Sequence, residues 1–237
     1  VAVPKTMDND VRNTEYCIGF STAMTRAVDA INRMRTTLGS HERVGIFRIF
    51  GRDAGFTALY AAYVTSIRCC IPEAPFDAEQ LAHLVMEDKN NNPSGYAMLL
   101  MSEGASWAGH AIEEYGPPDA FGHRKKISVA SQFSAEFTRI TGEETTVADL
   151  TYDLRSGEPD FLDKMVANSF ATMAFDCVAS GAKRRMMAIK RGCYADVDIP
   201  DPTLGPRTVD VATMYDTDRF RPNYASKNGL PIFMLSA

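Results

Sequence analysis

Short apolar runs alternate with segments of helical period along most of this chain, and that alternation limits its possible folds more than any other feature. Phe20, Met24, Ala27, Ile31, Met34 and Leu38 recur at spacings of four and three. That spacing predicts an amphipathic helix of about five turns. RVGIFRIF (Arg43 to Phe50) is β-branched and aromatic and predicts a buried strand. GRDAG then reads as a turn and FTALYAAYVTS as the helix after it. RCCIP is a short strand stopped by Pro72, and YAMLLMS (Tyr96 to Ser102) is an apolar strand running into EGA. Between them, Asp77 followed by Gln80 resembles a capping box opening the helix AEQLAHLVMEDK. Residues 104 to 127, rich in Gly and Pro, read as loop. ISVASQFSAEFTRITG predicts a helix closed by Gly142. TTVADL is a strand, TYDLRSGEP a polar turn, and DFLDKMVANSFATMAFDCVASG a helix ending at Gly181. RRMMAIKRGCYADVDIP predicts a hairpin around Arg191-Gly192, and the last forty residues read as irregular and polar. Strand, helix, strand in this order requires βαβ crossovers, hence an α/β fold with a mostly parallel sheet.

Composition narrows the function classes. The 237 residues suffice for one large domain or two small ones, and 45% hydrophobic with 23% charged residues is an ordinary globular profile. A net charge of -5 argues against nucleic acid as the main partner. No apolar run approaches the roughly 20 residues that span a bilayer, and no secretory pattern is present. Cys17, Cys69, Cys70, Cys177 and Cys193 follow no framework spacing, as expected of reduced thiols in a cytoplasmic protein. His41, His83, His110 and His123 lack paired spacing, which argues against a zinc site.

In parallel sheets ligands gather beyond the carboxyl ends of the strands. Arg52 follows one predicted strand, Glu103 another, and Tyr152 and Arg155 a third. The polar hexad Lys5 to Asp10 follows an apolar, strand-like lead, Val1 to Pro4. Guanidinium forks and an ammonium suit phosphate oxygens, and a carboxylate beside them can take a proton from a hydroxyl. Together these are the parts of phosphoryl transfer. Each residue also has a plainer reading. Arg52 and Arg155 suit surface ion pairs, Asp8 and Asp10 suit caps or turns, Glu103 suits a helix N-terminus, and Tyr152 suits strand-end packing. The methionines read as core filler, and Lys183-Arg184-Arg185 as a solvated charge run.

PKTMDND, GSHERV, FGRDAGFTAL, SEGA and YDLRSGEP, in this order and with these gaps, resemble successive signatures of the phosphofructokinases over about residues 1 to 190. The resemblance implies a three-layer parallel-sheet phosphofructokinase-like fold. It also implies transfer of a phosphoryl group to the 1-hydroxyl of fructose 6-phosphate, giving fructose 1,6-bisphosphate in glycolysis, with Mg²⁺ and in the cytoplasm. Asp8 corresponds to the family's catalytic base, with Thr6 and Asp10 flanking it. Lys5 resembles the pyrophosphate-dependent branch, where it sits against the transferring group; ATP-dependent bacterial members have a small residue there. Phe50, Gly51 and Arg52 match a substrate-contacting Met-Gly-Arg, and Glu103 matches the carboxylate that binds sugar hydroxyls. Tyr152 and Arg155 match the element that grips the 6-phosphate. Met7, Asp153 and Leu154 lie inside these motifs and count as substrate-binding positions. Arg43 matches an arginine that reaches in from a neighbouring subunit in tetrameric relatives. The implied partners are fructose 6-phosphate and pyrophosphate, with a homo-oligomer, a dimer favoured. ATP as donor and a non-catalytic phosphosugar-binding relative are the alternatives.

The departures matter as well. Thr146 stands where a second intersubunit arginine is usual. A Gly-rich phosphate loop and a GGD-type motif, which supplies the magnesium-binding aspartate, are not in this sequence, so no metal ligand is assigned. The expected organisation is therefore a C-terminal portion with an incomplete N-terminal subdomain. Residues 1–18 carry the catalytic loop, 19–150 form the fructose 6-phosphate-binding subdomain, and 151–237 return to the first subdomain and end in a tail.

Overall fold

The computed structural model describes residues 1–110, 114–117, 125–126, 128–225 and 228. Helix α1 (Phe20–His41) buries Phe20, Ala27, Ile31 and Leu38 of the anticipated stripe, with Ala23 beside them, while Met24 and Met34 are half-buried. Then follow β1 (Val44–Ile49), α2 (Phe56–Thr65), β2 (Arg68–Cys70), α3 (Ala78–Asn91) and β3 (Ala97–Ser102). A two-residue pair, β4 (Glu114–Tyr115) and β5 (Lys125–Lys126), precedes α4 (Val129–Thr141) and β6 (Thr145–Leu150). The rest of the expected 104–127 loop (111–113, 118–124 and 127) lies outside the described residues.

The main sheet has the order β2-β3-β1-β6, all parallel, with Val44 beside Ala97 on one side and Thr145 on the other. Central β3 is buried at every residue, whereas edge strand β6 is half-exposed throughout. This is why β3 reads as an unbroken apolar run and β6 does not. Helices α1 and α2 pack together over one face, and α3 and α4 over the other, giving three layers. The handedness rule accounts for the sides: β1 to β2 runs one way across the sheet, while β2 to β3 and β3 to β6 run back. The loops leaving β1 and β3, which are neighbours, therefore diverge to opposite faces and open a crevice at their carboxyl ends.

A 3-10 turn (Tyr152–Arg155) leads into α5 (Phe161–Ala179) and the antiparallel hairpin β7 (Arg185–Lys190) and β8 (Cys193–Asp198). Arg191 (φ 50°) and Gly192 (φ 73°) both take the left-handed conformation that a two-residue hairpin turn demands. The start of the chain lies parallel to β7: Ala2 N–H donates to Arg185 O at 2.8 Å, and Met187 N–H donates to Ala2 O at 3.0 Å.

Two expectations need correction. The last forty residues are not merely polar tail. They form a 3-10 turn (Pro202–Leu204), α6 (Val211–Met214), β9 (Tyr215–Asp216) and β10 (Arg221–Pro222), and they bury Val209, Met214, Tyr215 and Phe220. Cys69 N–H donates to Phe220 O at 2.8 Å, so this segment closes the outer edge of β2. Its apolar residues pack one at a time, without a period to betray them. The capping box is also only half made. The Asp77 carboxylate accepts from Gln80 N–H at 2.8 Å, but the Gln80 side chain donates to Asp218 O at 3.0 Å rather than turning back.

Candidate active site

The loops after β1 and β3 are locked together before they present any side chain. Glu103 N–H donates to Ile49 O at 2.8 Å and Gly104 N–H to Gly51 O at 3.0 Å. A Cβ on Gly104 would lie 1.8 Å from Arg52 O, so only glycine permits this approach. The Thr57 hydroxyl donates to Phe50 O and fixes the turn from behind. The two loops thus bring Arg52 within 3.4 Å of Glu103. Arg48, from within β1, approaches Glu103 at 3.7 Å and Asp149 at 3.6 Å. Sequence reasoning overlooked Arg48 and Asp149; the signal was an arginine inside an otherwise apolar strand, which needs a partner.

The hexad loop meets this edge from the other side. Asn9 is buried and left-handed (φ 54°); its Oδ1 accepts from Cys17 N–H at 2.9 Å and its Nδ2 donates to Glu15 O at 3.0 Å. These bonds fold residues 8–17 into a closed loop. Asp8 N–H donates to Thr6 Oγ1 at 3.2 Å. Asp8 Oδ1 is buried without a hydrogen-bond partner. Burial pushes the Asp8 carboxyl from 3.8 up to about 6; the charges of Asp10, Glu103 and Asp53 add to this, and Arg155 opposes it. The Asp10 carboxyl is raised too, first by burial, then by Asp53 against Arg207. A carboxylate tuned this close to neutrality, beside cations at a sheet edge, suits general-base work.

Arg155 lies with its guanidinium 4.3 Å from the Phe50 ring centroid and 5.8 Å from that of Tyr152, and its Nε donates to Met7 Sδ at 3.3 Å. Phe50 and Tyr152 meet edge to face at 6.0 Å. Leu154 is buried and anchors the turn, while Asp153 is exposed, its carbonyl accepting from the Ser156 hydroxyl at 2.8 Å. Lys5 is exposed and pairs through its backbone beside Ile18. It shares a cavity of about 370 Å³ with Thr6, Met7, Thr22, Arg155 and Asp163. Asp163 was also missed. Its buried carboxylate accepts from Tyr16 Oη, Gly19 N–H, Thr22 N–H and Thr22 Oγ1, and so caps α1, which has no side-chain cap of its own. An aspartate on the inner face of α5 was the available clue. The structure brings Lys5, Thr6, Met7, Asp8, Asp10, Phe50, Gly51, Arg52, Glu103, Tyr152, Leu154 and Arg155 to one end of the sheet. It does not bring Arg43 there: that residue precedes β1, at the opposite edge, and pairs with Glu144 at 2.6 Å on the surface.

The fold and its polar sheet end define a three-layer parallel α/β protein with acidic and basic side chains gathered at one end of the sheet. The comparisons make the class specific. The family model Phosphofructokinase matches residues 1–178, and the chain belongs to that family. It is 36% identical over 227 residues, 95% of its own length, to a pyrophosphate–fructose 6-phosphate 1-phosphotransferase of Thermoproteus tenax, covering 65% of that protein. An enzyme of the same name from Amycolatopsis methanolica is 34% identical over 88% of the chain and 61% of its own length. ATP-dependent 6-phosphofructokinase 3 of Streptomyces coelicolor is 33% identical over 88% of the chain and 62% of its own. The chain thus spans less than two thirds of the curated relatives it matches, and relatives with either donor in their names stand at similar identity. A solved pyrophosphate-dependent phosphofructokinase from Marinobacter aquaeolei superposes with a TM-score of 0.77 at 19% identity, over 94% of this chain and 56% of that one, a likeness of fold.

Proposed function

We propose that this chain carries the sugar-phosphate half of a pyrophosphate-dependent phosphofructokinase, transferring a phosphoryl group to the 1-hydroxyl of fructose 6-phosphate. The observation that carries the reading is Asp8: a half-buried carboxylate with one buried, orphaned oxygen, poised near pH 6, beside Glu103 and Arg155. Asp8 takes the hydroxyl proton as the sugar oxygen attacks the terminal phosphorus of pyrophosphate. The bridging P–O bond breaks, and phosphate leaves. Arg155, braced on Phe50, holds the 6-phosphate; Tyr152, Asp153 and Leu154 shape its turn; Glu103 and Arg52 hold the sugar; Thr6, Met7 and Asp10 frame the base. Lys5 supplies charge at the transferred group, and this supports pyrophosphate over ATP. In this reading residues 1–18 and 151–237 form one subdomain, except that the segment around Phe220 packs on β2 of the sugar-binding subdomain, 19–150, and Arg43 serves the site of a second copy in a homodimer.

No three His, Cys, Asp or Glu side chains among the described residues stand together to hold a metal ion; Mg²⁺ would be held mainly by pyrophosphate oxygens and water, with at most one or two carboxylates from the protein. Among the described residues, no helix is long and apolar enough to cross a membrane.

Titration calorimetry tests the assignment. Fructose 6-phosphate should bind saturably, and Arg155→Ala should weaken it roughly 10-fold or more. Equal affinity for unphosphorylated fructose would overturn the sugar-phosphate site. Pyrophosphate should bind this chain more tightly than ATP, and Lys5→Gly should erase that preference. Equal affinity for both donors in the parent chain would refute the role of Lys5.

A further inference from the structure

We propose that Arg207 is a positioning residue that sets the Asp8 loop against the sugar-binding turn, a role that rests on the function proposed above. Arg207 stands in the stretch GPRTVD, some two hundred residues from the loop it touches. Its Nη2 donates to Asn9 O at 2.6 Å and, more weakly, to Glu15 O at 3.4 Å, so one guanidinium nitrogen bridges the two arms of the loop. Its backbone N–H donates to Asp10 O at 2.6 Å. The carbonyls of the two residues directly after Asp8 are thus both held from a single position. The guanidinium lies 4.3 Å from the ring centroid of Phe56, the first residue of α2. Two residues on, Val209 N–H donates at 2.8 Å to Glu73 Oε1, the same oxygen that accepts from Gly55 N–H at 2.9 Å. Residues 207–209 therefore connect the Asp8 loop to the end of the turn that presents Arg52.

The energetics favour a positioning role over a purely stabilising one. Arg207 Nε is buried with no hydrogen-bond partner, and burial lowers the tendency of this guanidinium to stay charged. A buried, incompletely paired cation is costly, and a well-packed apolar residue commonly serves stability as well or better. Here a single Nη2 serves both carbonyls while the planar guanidinium stacks on a ring, a combination an apolar residue cannot supply.

The test uses the whole chain and needs no turnover. Arg207→Met keeps the stem on Phe56 and removes the donors. Hydrogen exchange of the Asn9–Cys17 amides should accelerate at least 10-fold, while β1 and β3 amides keep their protection. By carbon NMR, the Asp8 carboxyl midpoint should fall from about 6 by one pH unit or more as the loop opens to water. Unchanged loop exchange and midpoint would overturn the proposal. So would equal acceleration throughout the chain, the mark of a merely structural arginine. Should Arg207→Met fail to fold, Arg207→Lys, which keeps the charge but not the planar guanidinium, should loosen the loop about threefold, and parent-like exchange in that variant would count equally against the role. A chain that fails to bind fructose 6-phosphate yet passes this test would disprove the function and leave the strut.

Discussion

Asp8 holds its place at a cost to the fold. The folded carboxyl titrates near 6 against 3.8 for an ordinary aspartate. The protonated form is therefore favoured by folding, so its contribution is fully present below pH 4 and is lost as pH rises from about 4 through 6. Asp8→Asn should accordingly be more stable than the parent at pH 8, by ~1–3 kcal/mol, and equal to it near pH 4. Urea melts at the two pH values check this; a variant less stable than the parent at pH 8 would mean that the carboxylate is satisfied after all. Arg52, Glu103 and Arg155 were legible in the sequence because each lies within a few residues of the end of a recognisable strand. Arg48, Asp163 and Arg207 were not, because what gives them meaning is a partner elsewhere: Glu103, the amino end of α1, and the carbonyls of Asn9 and Glu15.

Among the elements, β1 and β3 declared themselves through unbroken apolar runs, and α1 through its stripe. How α1 begins could not be read locally. Its amino end is capped across the molecule by Asp163, while Asp160 caps α5 by accepting from Asp163 N–H at 2.9 Å and also takes the Ser21 hydroxyl at 2.6 Å. The two helices therefore share one polar hinge beneath the Lys5 cavity. Asp163→Ala would remove the bonds that the Tyr16 and Thr22 hydroxyls and two backbone N–H groups make to it, all at once. The expected loss is roughly 3–5 kcal/mol by chemical denaturation. A loss under about 1 kcal/mol would show that water replaces the carboxylate and that the cap is dispensable. The tail elements β9 and β10 were illegible for a different reason: two-residue strands carry no period.

At the scale of the whole molecule, the sheet order makes β1 and β3 neighbours whose exits diverge, and the candidate site follows from that topology more than from any single side chain. Arg43 lies at the far edge, paired on the surface with Glu144. Arg43→Ala should change stability by no more than about 0.5 kcal/mol. If a second copy completes the site, it should also weaken fructose 6-phosphate binding only at concentrations where sedimentation shows a dimer; weakening in the monomer would place Arg43 in its own chain's site. The central claim is that Asp8 is the base of a fructose 6-phosphate site, and carbon NMR of the Asp8 carboxyl with and without that sugar tests it most directly. The account predicts a midpoint near 6 in the free chain and a saturable change in the Asp8 signal with fructose 6-phosphate that Arg155→Ala abolishes at the same concentration. A midpoint at the ordinary 3.8, with no response to the sugar phosphate, would contradict it.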